Sequence, residues 1–390
     1  MAPAIPYISA VPLQQLFVWV LAPRMESKDD NIDYYYDFTQ SIAEYTATFL
    51  ELGIEWKWQP VGMDDYKTII NRIAKKSRLS TQLQVVLNLC DGDEINGAPG
   101  ISVVQLLEAK GLIYTGADAF FYDITTSKIP MKKAFDAAGV PTAPWSAIYS
   151  TFNIDDHFSD GLSLPAILKP AVSGGSMGVG TRNVVHNIEE LKAQAQSMFE
   201  GYRGWNLGAG GLVLESFING PEYTVLIVGA YDQPQKAKVY EPVERVFHAS
   251  LPDEEKFLSF DRLWEIYEEE TPMPNEANFY EYAPANPGLA DQIKKIAWDA
   301  YVATKGKGYT RVDLRMDKAS GKLYVLEVNA QCGISDDEDF TSIGAILRLN
   351  GKTFTQLVLA ILNDALLRNT AYLERTAGRS APSLKINSSI

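Results

Sequence analysis

Tyr309-Thr310-Arg311-Val312-Asp313-Leu314-Arg315-Met316, the turn Asp317-Lys318-Ala319-Ser320-Gly321-Lys322, and the return run Leu323-Tyr324-Val325-Leu326-Glu327-Val328-Asn329 decide how this chain is read. Both runs alternate with the period of a β-strand, whose successive side chains point to opposite faces. On the first, Arg311, Asp313 and Arg315 share a face and Val312, Leu314 and Met316 take the other. On the return, Val325, Glu327 and Asn329 share a face opposite Leu326 and Val328. Pairing the strands gathers an arginine, two carboxylates and an amide on one surface. Asp313, Glu327 and Asn329 offer hard oxygen donors of the kind Mg²⁺ takes alongside water and phosphate oxygens. Arg311 beside them can hold a carboxylate, or the oxyanion formed when one is attacked. The solvated face of a half-buried sheet would read the same way, so the hairpin alone assigns nothing.

Two upstream segments add to it. Lys169-Pro170-Ala171-Val172-Ser173-Gly174-Gly175-Ser176-Met177-Gly178-Val179-Gly180 feeds a strand into a loop of glycines and serines. Such a loop brings bare backbone N–H groups to an anion, with Lys169 as a point charge beside them. Its spacing is neither a P-loop nor a dinucleotide fingerprint. A flexible surface loop is the plain alternative, and the lysine on the preceding strand tips the balance toward phosphate. Gly211–Val225 carries Glu215 at a strand end, turns through Asn219-Gly220-Pro221 and restarts at Glu222. A strand end can pair with an adenine edge and a nearby carboxylate with ribose hydroxyls; an ordinary turn with two surface acids reads identically.

The rest of the chain supplies the frame. It has 390 residues, and 35 basic against 49 acidic side chains give a net charge of −14. That length predicts two or three domains, and 46% hydrophobic residues are enough to bury a core. The acid excess argues against a nucleic-acid binder. Cys90 and Cys332 are too few for a disulfide framework. The apolar run Leu16–Ala22 is one strand long, too short to cross a membrane, and lacks signal-peptide flanks. These features predict a cytoplasmic protein. Helical spacing runs over Asp33–Leu52, strand-like runs cover Val85–Leu89 and Leu112–Thr115, and a helix covers Ser102–Ala109. The expected fold class is α/β, turning α+β toward the C-terminus. Expected units are residues 1–127, 128–211 and 212–377, with a polar tail at 378–390. His157, His186 and His248 are the only histidines, and none has a catalytic setting.

Taken in this order, the lysine before a Gly-Ser loop, the segment from Glu215 through Gly220-Pro221-Glu222-Tyr223-Thr224-Val225, and the hairpin resemble the ATP-grasp superfamily. Within it they resemble the D-alanine–D-alanine ligase group. Tyr114-Thr115-Gly116-Ala117, Thr126-Ser127-Lys128, Ala138-Gly139-Val140-Pro141-Thr142-Ala143-Pro144, Tyr282-Ala283-Pro284-Ala285 and the run from Glu327 to Gly333 extend the likeness over residues 87–362, with gaps. The resemblance implies three domains with ATP between the central and C-terminal ones. It implies that Lys128 and Lys169 contact the phosphates and that Ser173, Gly174, Gly175, Ser176, Met177 and Gly178 close over them, Ser176 with a part in catalysis. Glu215, Ser216, Phe217 and Ile218 would frame the adenine and Glu222 the ribose. Asp313, Glu327 and Asn329 would hold two Mg²⁺ ions (or Mn²⁺), while Arg311 and the Gly333 N–H stabilise a tetrahedral oxyanion. The implied reaction is ATP-dependent joining of a carboxylate to an amine through an acyl phosphate, which is mostly positioning and charge stabilisation. Small-molecule acid and amine substrates and a homodimer follow from the same likeness.

The substrate ends depart from the group. Where D-alanine ligases follow the first strand with a Gly-Gly-x-Ser-x-Glu loop, this chain has Val20-Leu21-Ala22-Pro23-Arg24-Met25-Glu26-Ser27, leaving Glu26 as the substitute. After Gly333 come Ser335-Asp336-Asp337-Glu338-Asp339, where small hydroxyl residues are usual; Asp336, Asp337 and Glu338 would suit a cationic acceptor, or form a solvated helix N-terminus. The loop from Val246 to Tyr282 is longer than usual, includes Glu268-Glu269-Glu270, and contributes Lys256 as a substrate-site candidate. The expected activity is therefore ligation of an amino acid or similar acid to an amine. D-alanine–D-alanine ligation with a divergent acceptor site, or nucleotide binding without ligation, are the alternatives.

Overall fold

The computed structural model describes residues 11–152, 154, 161–339 and 341–369. Three sheets organise them. The first is parallel, in the order β2-β1-β3-β4, from β1 (Leu16–Pro23), β2 (Glu55–Val61), β3 (Leu83–Asn88) and β4 (Ile113–Tyr114). The continuous apolar run of β1 has a physical reason. The strand lies between two partners and is covered on both faces. Trp19 and Leu21 enter one core, and Leu16, Val18 and Val20 enter another. The helices α1 (Ile32–Tyr35), α2 (Thr39–Leu52), α3 (Tyr66–Leu79), α4 (Ile101–Ala109) and α5 (Ala119–Thr126) accompany this sheet.

The single helix expected over Asp33–Leu52 is two. Between them, the Asp37 carboxylate accepts the Thr39 N–H at 2.8 Å. This local side-chain bond competes with the helical ladder and frees Tyr36 and Phe38 to turn elsewhere. Periodicity also passed over β2 and α3. In β2 the polar residues of a half-exposed strand dilute the alternation, whereas Tyr66, Ile69, Ile70, Ile73 and Ala74 of α3 do recur at helical spacing and were readable.

The second sheet is antiparallel, in the order β5-β8-β6-β7, from β5 (Trp145–Ile148), β6 (Ala166–Pro170), β7 (Val184–Val185) and β8 (Leu212–Ser216), with α6 (Lys128–Ala138) and α7 (Ile188–Glu200). The third orders β12-β11-β9-β13-β14, with β10 also on β9. Its strands are β9 (Glu222–Ala230), β10 (Lys238–Val239), β11 (Val243–Phe247), β12 (Tyr280–Pro284), β13 (Lys307–Met316) and β14 (Leu323–Ala330). The helices α8 (Phe260–Trp264), α9 (Pro287–Ala303), α10 (Ser342–Leu349) and α11 (Phe354–Arg368) complete this part. The architecture is α/β with an α+β C-terminal portion. The expected tail, 378–390, lies outside the described residues. No helix among those described is long and apolar enough to cross a membrane.

In the deciding hairpin, Arg311 faces Asn329 and Asp313 faces Glu327, but the register slips between Asp313 and Leu314 so that Leu314 faces Val325. Leu326 is the extra residue of this bulge, and one extra residue exchanges the faces beyond it. Val325 is therefore fully buried in the core with Leu314, while Leu326 lines the cavity described below. Strict alternation had assigned these two residues the other way round. The turn at the start of α6 is tied to the second sheet by the Lys128 N–H, which donates to the Ala171 carbonyl at 2.8 Å.

Candidate active site

A cavity of about 680 Å³ opens where the three sheets converge. The central sheet and the loop after β6 form one wall, the bulged face of β13–β14 another, and the carboxyl ends of β1 and β3 close the far end. Of the residues singled out from sequence, Lys128, Lys169, Ser173, Gly174, Gly175, Ser176, Met177, Glu215, Ser216, Phe217, Ile218, Glu222, Arg311, Asp313, Glu327, Asn329 and Gly333 line it.

Charge is arranged in paired groups. The Arg311 guanidinium grips the Asp313 carboxylate through Nε at 3.0 Å and Nη2 at 2.9 Å, and the Asn329 amide donates to the same carboxylate at 3.0 Å. Burial pushes the Asp313 carboxyl up, but Arg311 and Arg245 outweigh it and hold the group below its ordinary range. Across the cleft, Lys128 Nζ is 3.6 Å from Glu327. Two carboxylates and an amide thus lie on one wall, and the described residues hold no group of three or more His, Cys, Asp and Glu side chains able to cage a metal. Such a donor set fits a hard ion that fills its remaining positions with water and phosphate oxygens, as Mg²⁺ does.

Glu215 lies beneath Lys169 and lines the cavity beside Ser216, Phe217 and Ile218. Its carboxylate pairs with both Lys169 and the buried Lys132, the latter at 2.6 Å. Burial pushes its pKa up, but the two ammonium groups prevail and hold it at about 2. Lys132, one helical turn after Lys128, was not singled out; the i, i+4 spacing on α6 was the available signal. Glu222 is likewise bound, to the buried Arg245, whose other nitrogen donates to Tyr282 Oη at 3.2 Å. Arg245 was also passed over in the sequence, and Arg315 was placed on the polar face without a role. Arg315 donates to the Lys256 and Gly220 carbonyls and lies 5.3 Å from the Phe217 ring centre. Phe217 and Phe257 meet edge to face at 6.0 Å, and with Ile167, Val179 and Val184 they form an apolar recess.

The Gly-Ser loop bends over this recess. Ser176 sits at φ +60, a conformation that costs a non-glycine residue energy and is held by its surroundings. The Met177 N–H donates to the Gly174 carbonyl, and Trp264 Nε1 donates to the Gly175 carbonyl at 2.8 Å. Trp264 packs in turn against Tyr34 and Tyr35, so the longer loop and the first unit both brace this segment. Glu268, Glu269 and Glu270 carry the bracing onto the central part: they pair with Arg203, with Arg182, and with the Thr181 N–H at 2.8 Å.

Several candidates do not reach the cavity. Gly178 lines none of it and turns at φ +73 against Leu207. Glu26 is exposed on the surface beside Arg24. The Lys256 side chain pairs with Asp253 at 2.8 Å, leaving its neighbours Phe257 and Leu258 on the wall. Asp336, Asp337 and Glu338 lie outside, ahead of α10: Glu44 accepts the Asp336 N–H, Gln40 donates to Asp337, and Glu338 approaches Arg348. Thr341 caps that helix by accepting the Gly344 N–H. The placement matches the helix-terminus alternative for these acids. His186 and His248 are away from the cavity, bonded to surface groups. His157 lies outside the described residues.

A fold of this kind, with two cleft lysines under a Gly-Ser loop facing a carboxylate-rich hairpin, defines an ATP-grasp carboxylate–amine ligase. The chain belongs to the family described as D-ala D-ala ligase C-terminus, whose model matches residues 134–363, more than half of its length. It is similar to the D-alanine–D-alanine ligase of Xanthomonas axonopodis pv. citri (strain 306), 28% identical over 295 residues, covering 75% of this chain and 81% of that one. The corresponding ligase of Ectopseudomonas mendocina (strain ymp) is 27% identical over 264 residues, covering 68% and 73%. Among solved structures, D-alanine–D-alanine ligase from Bacillus anthracis complexed with ATP superposes with a TM-score of 0.62 at 19% identity, covering 91% of this chain and 99% of the other. The Coxiella burnetii ligase gives 0.60 at 16%, covering 94% and 98%. At those identities the structural likeness establishes the fold. The reaction class is ATP-dependent carbon–nitrogen ligation.

Proposed function

We propose that this chain activates the carboxylate of an amino acid, or a similar acid, with ATP and joins it to an amine. The observation that carries the reading is the convergence of Lys128, Lys169 and the Gly-Ser loop on the same cavity as the Arg311–Asp313–Asn329 network. Adenine takes the apolar recess of Ile167, Val179, Phe217 and Phe257, against the backbone of Ser216–Ile218. Glu222, steadied by Arg245, faces the ribose. Lys128 and Lys169 face the phosphates, and Ser176 and its neighbours shield them from water. Asp313, Glu327 and Asn329 would hold two Mg²⁺ ions, which would supply positive charge to the transferring phosphoryl oxygens.

A substrate carboxylate oxygen then attacks the γ-phosphorus, the bond to the β-phosphate oxygen breaks, and an acyl phosphate and ADP result. The amine adds to the acyl carbon and loses a proton, and phosphate leaves to give the amide. Arg311 and the Gly333 N–H, both at the cavity wall, would stabilise the intermediate oxyanion. No step needs a histidine base. Self-association as a homodimer and residence in the cytoplasm belong to the same proposal; the two unpaired, buried cysteines agree with a reducing compartment.

Phosphate release by the purified protein with ATP and Mg²⁺, measured against pooled acids and amines with mass analysis of products, tests this reading. Release that requires both an acid and an amine, with a product heavier than either, is the expected result. ATP binding without acid-dependent release from any pool would contradict it. The relatives' names make D-alanine the first compound to try in both roles.

A further inference from the structure

The first unit closes the cavity with groups that the nucleotide chemistry does not use. In an open parallel sheet, ligands bind outside the carboxyl ends of the strands at the point where strand order reverses. Here that point lies between β1 and β3, with β2 beyond one and β4 beyond the other. Pro23 at the end of β1, and Leu89, Asp91 and Asp93 after β3, line the cavity there with Tyr36, Phe38 and Tyr122.

We propose that Asp91 binds the ammonium group of an amino-acid substrate at this point. The assignment rests on the ligase reading above. Its first support is charge balance. The five cationic side chains on the cavity wall are all engaged: Lys128 with Glu327, Lys169 with Glu215, Arg245 with Glu222, Arg311 with Asp313, and Arg315 with two carbonyls. Asp93 bonds to Asn96. Asp91 has no side-chain partner among the described residues and opens onto the cavity's water. A carboxylate without a side-chain partner at the cavity wall is free to pair with a cation that arrives with the ligand.

The second support is rigidity. Tyr122 Oη donates to the Gly92 carbonyl at 2.8 Å and approaches the Cys90 carbonyl at 3.3 Å, so it holds the backbone on both sides of Asp91. The Gly92 N–H donates to Pro99 and the Cys90 N–H to the Asn88 side chain. The Gln331 amide, just past β14, donates to the Asn88 carbonyl at 2.8 Å, locking this loop to the Gly333 end of the hairpin. A group fixed before the ligand arrives loses little freedom on binding. The rings of Tyr36 and Tyr122 beside it also favour a cation. Glu26, the substitute expected from sequence, is exposed and paired with Arg24.

The test is steady-state phosphate release by full-length wild type and Asp91→Asn with ATP and Mg²⁺. Glycine, D-alanine and the common L-amino acids would each be run beside the matching hydroxy acid, with a saturating amine. Wild type should respond to an amino acid and not to its hydroxy counterpart. The Asn variant should raise the KM for that amino acid about 10–100-fold, the range for losing a charged hydrogen-bond partner, with the KM for ATP within about twofold. Asp91→Glu should recover part of the loss, and unchanged melting of both variants would exclude misfolding as its cause. An unchanged amino-acid KM in Asp91→Asn, or an equal rise in both KM values, overturns the Asp91 assignment alone. A wild type silent to every acid overturns the ligase reading and the assignment with it.

Discussion

At the nucleotide end of the cavity, charged side chains are bound to one another before any ligand arrives; at the end formed by β1 and β3, Asp91 has no such partner among the described residues. The first arrangement suits a ligand whose phosphates are the same in every turnover. Lysines and arginines are held in place by Glu215, Glu222 and Asp313, and ATP need only compete for groups already positioned. The second suits discrimination between substrates, because a lone carboxylate favours ligands that bring a cation and penalises those that do not. One end conserves position; the other withholds a partner.

The widest separation between the two ends should come from the hairpin. Asp313→Asn and Glu327→Gln should lower kcat about 1,000-fold, the scale of losing a group that acts on developing charge, with amino-acid KM little changed. Chelation of divalent ions should have the same effect, and addition of Mg²⁺ should reverse it. A variant that retains a tenth of wild-type kcat would break the comparison at its nucleotide end.

Glu215 is a test of stability rather than rate. Replacing it with Gln leaves Lys132 buried against a neutral group, which should cost about 3 kcal/mol in denaturant unfolding. The sign with pH follows from its depressed pKa, about 2 against an ordinary 4.5. Its contribution is fully present above pH 4.5 and is lost as pH falls toward 2. Wild-type stability should drop through that window, and the Gln variant should drop less.

Asp91 gives the opposite pH signature. The enclosing cavity walls first, and Asp93 next, raise its carboxyl to about 6, although its side chain reaches the cavity's water. Facing it are Asp93, Glu94 and Cys90 from its own loop, Tyr36 from the connection after α1, Tyr122 from α5, Tyr309 from β13, and Cys332 after β14. The amino-acid kcat/KM should fall about tenfold per pH unit below 6, and this limb should be absent in Asp91→Asn. Because Asp91 has no side-chain partner among the described residues and opens onto the cavity's water, the Asn variant should melt at the same temperature as wild type. The smallest effect is expected outside the cavity: Asp336→Ser with Asp337→Ser should leave the KM values of ATP, acid and amine within about twofold. A selective shift in the amine KM would return these acids to the acceptor site.

Much of the nucleotide end was legible in sequence because its residues lie on strands or in a glycine-rich loop, where local pattern fixes direction. Arg311, Asp313, Glu327 and Asn329 fall together by period-two arithmetic, and only the bulge, invisible to that arithmetic, exchanged Val325 and Leu326. Lys132, Arg245 and the role of Arg315 were not legible, since their importance lies in partners 83, 23 and 93 positions away, Glu215 for the first and Glu222 for the others. Asp91 shows the limit most clearly. Its loop reads as a Gly- and Asp-rich stretch, and only the strand order, the Tyr122 hydroxyl and the neutralised cations around it distinguish this acid from Asp336, which the sequence offered as a substrate-site candidate.

The central claim is that a substrate carboxylate takes the γ-phosphoryl group. The most direct measurement supplies the active acid with both carboxylate oxygens as ¹⁸O and follows the label by mass spectrometry of the released phosphate. The account predicts one ¹⁸O in each phosphate and the other in the amide carbonyl. Phosphate free of label, with amide still formed, would contradict it.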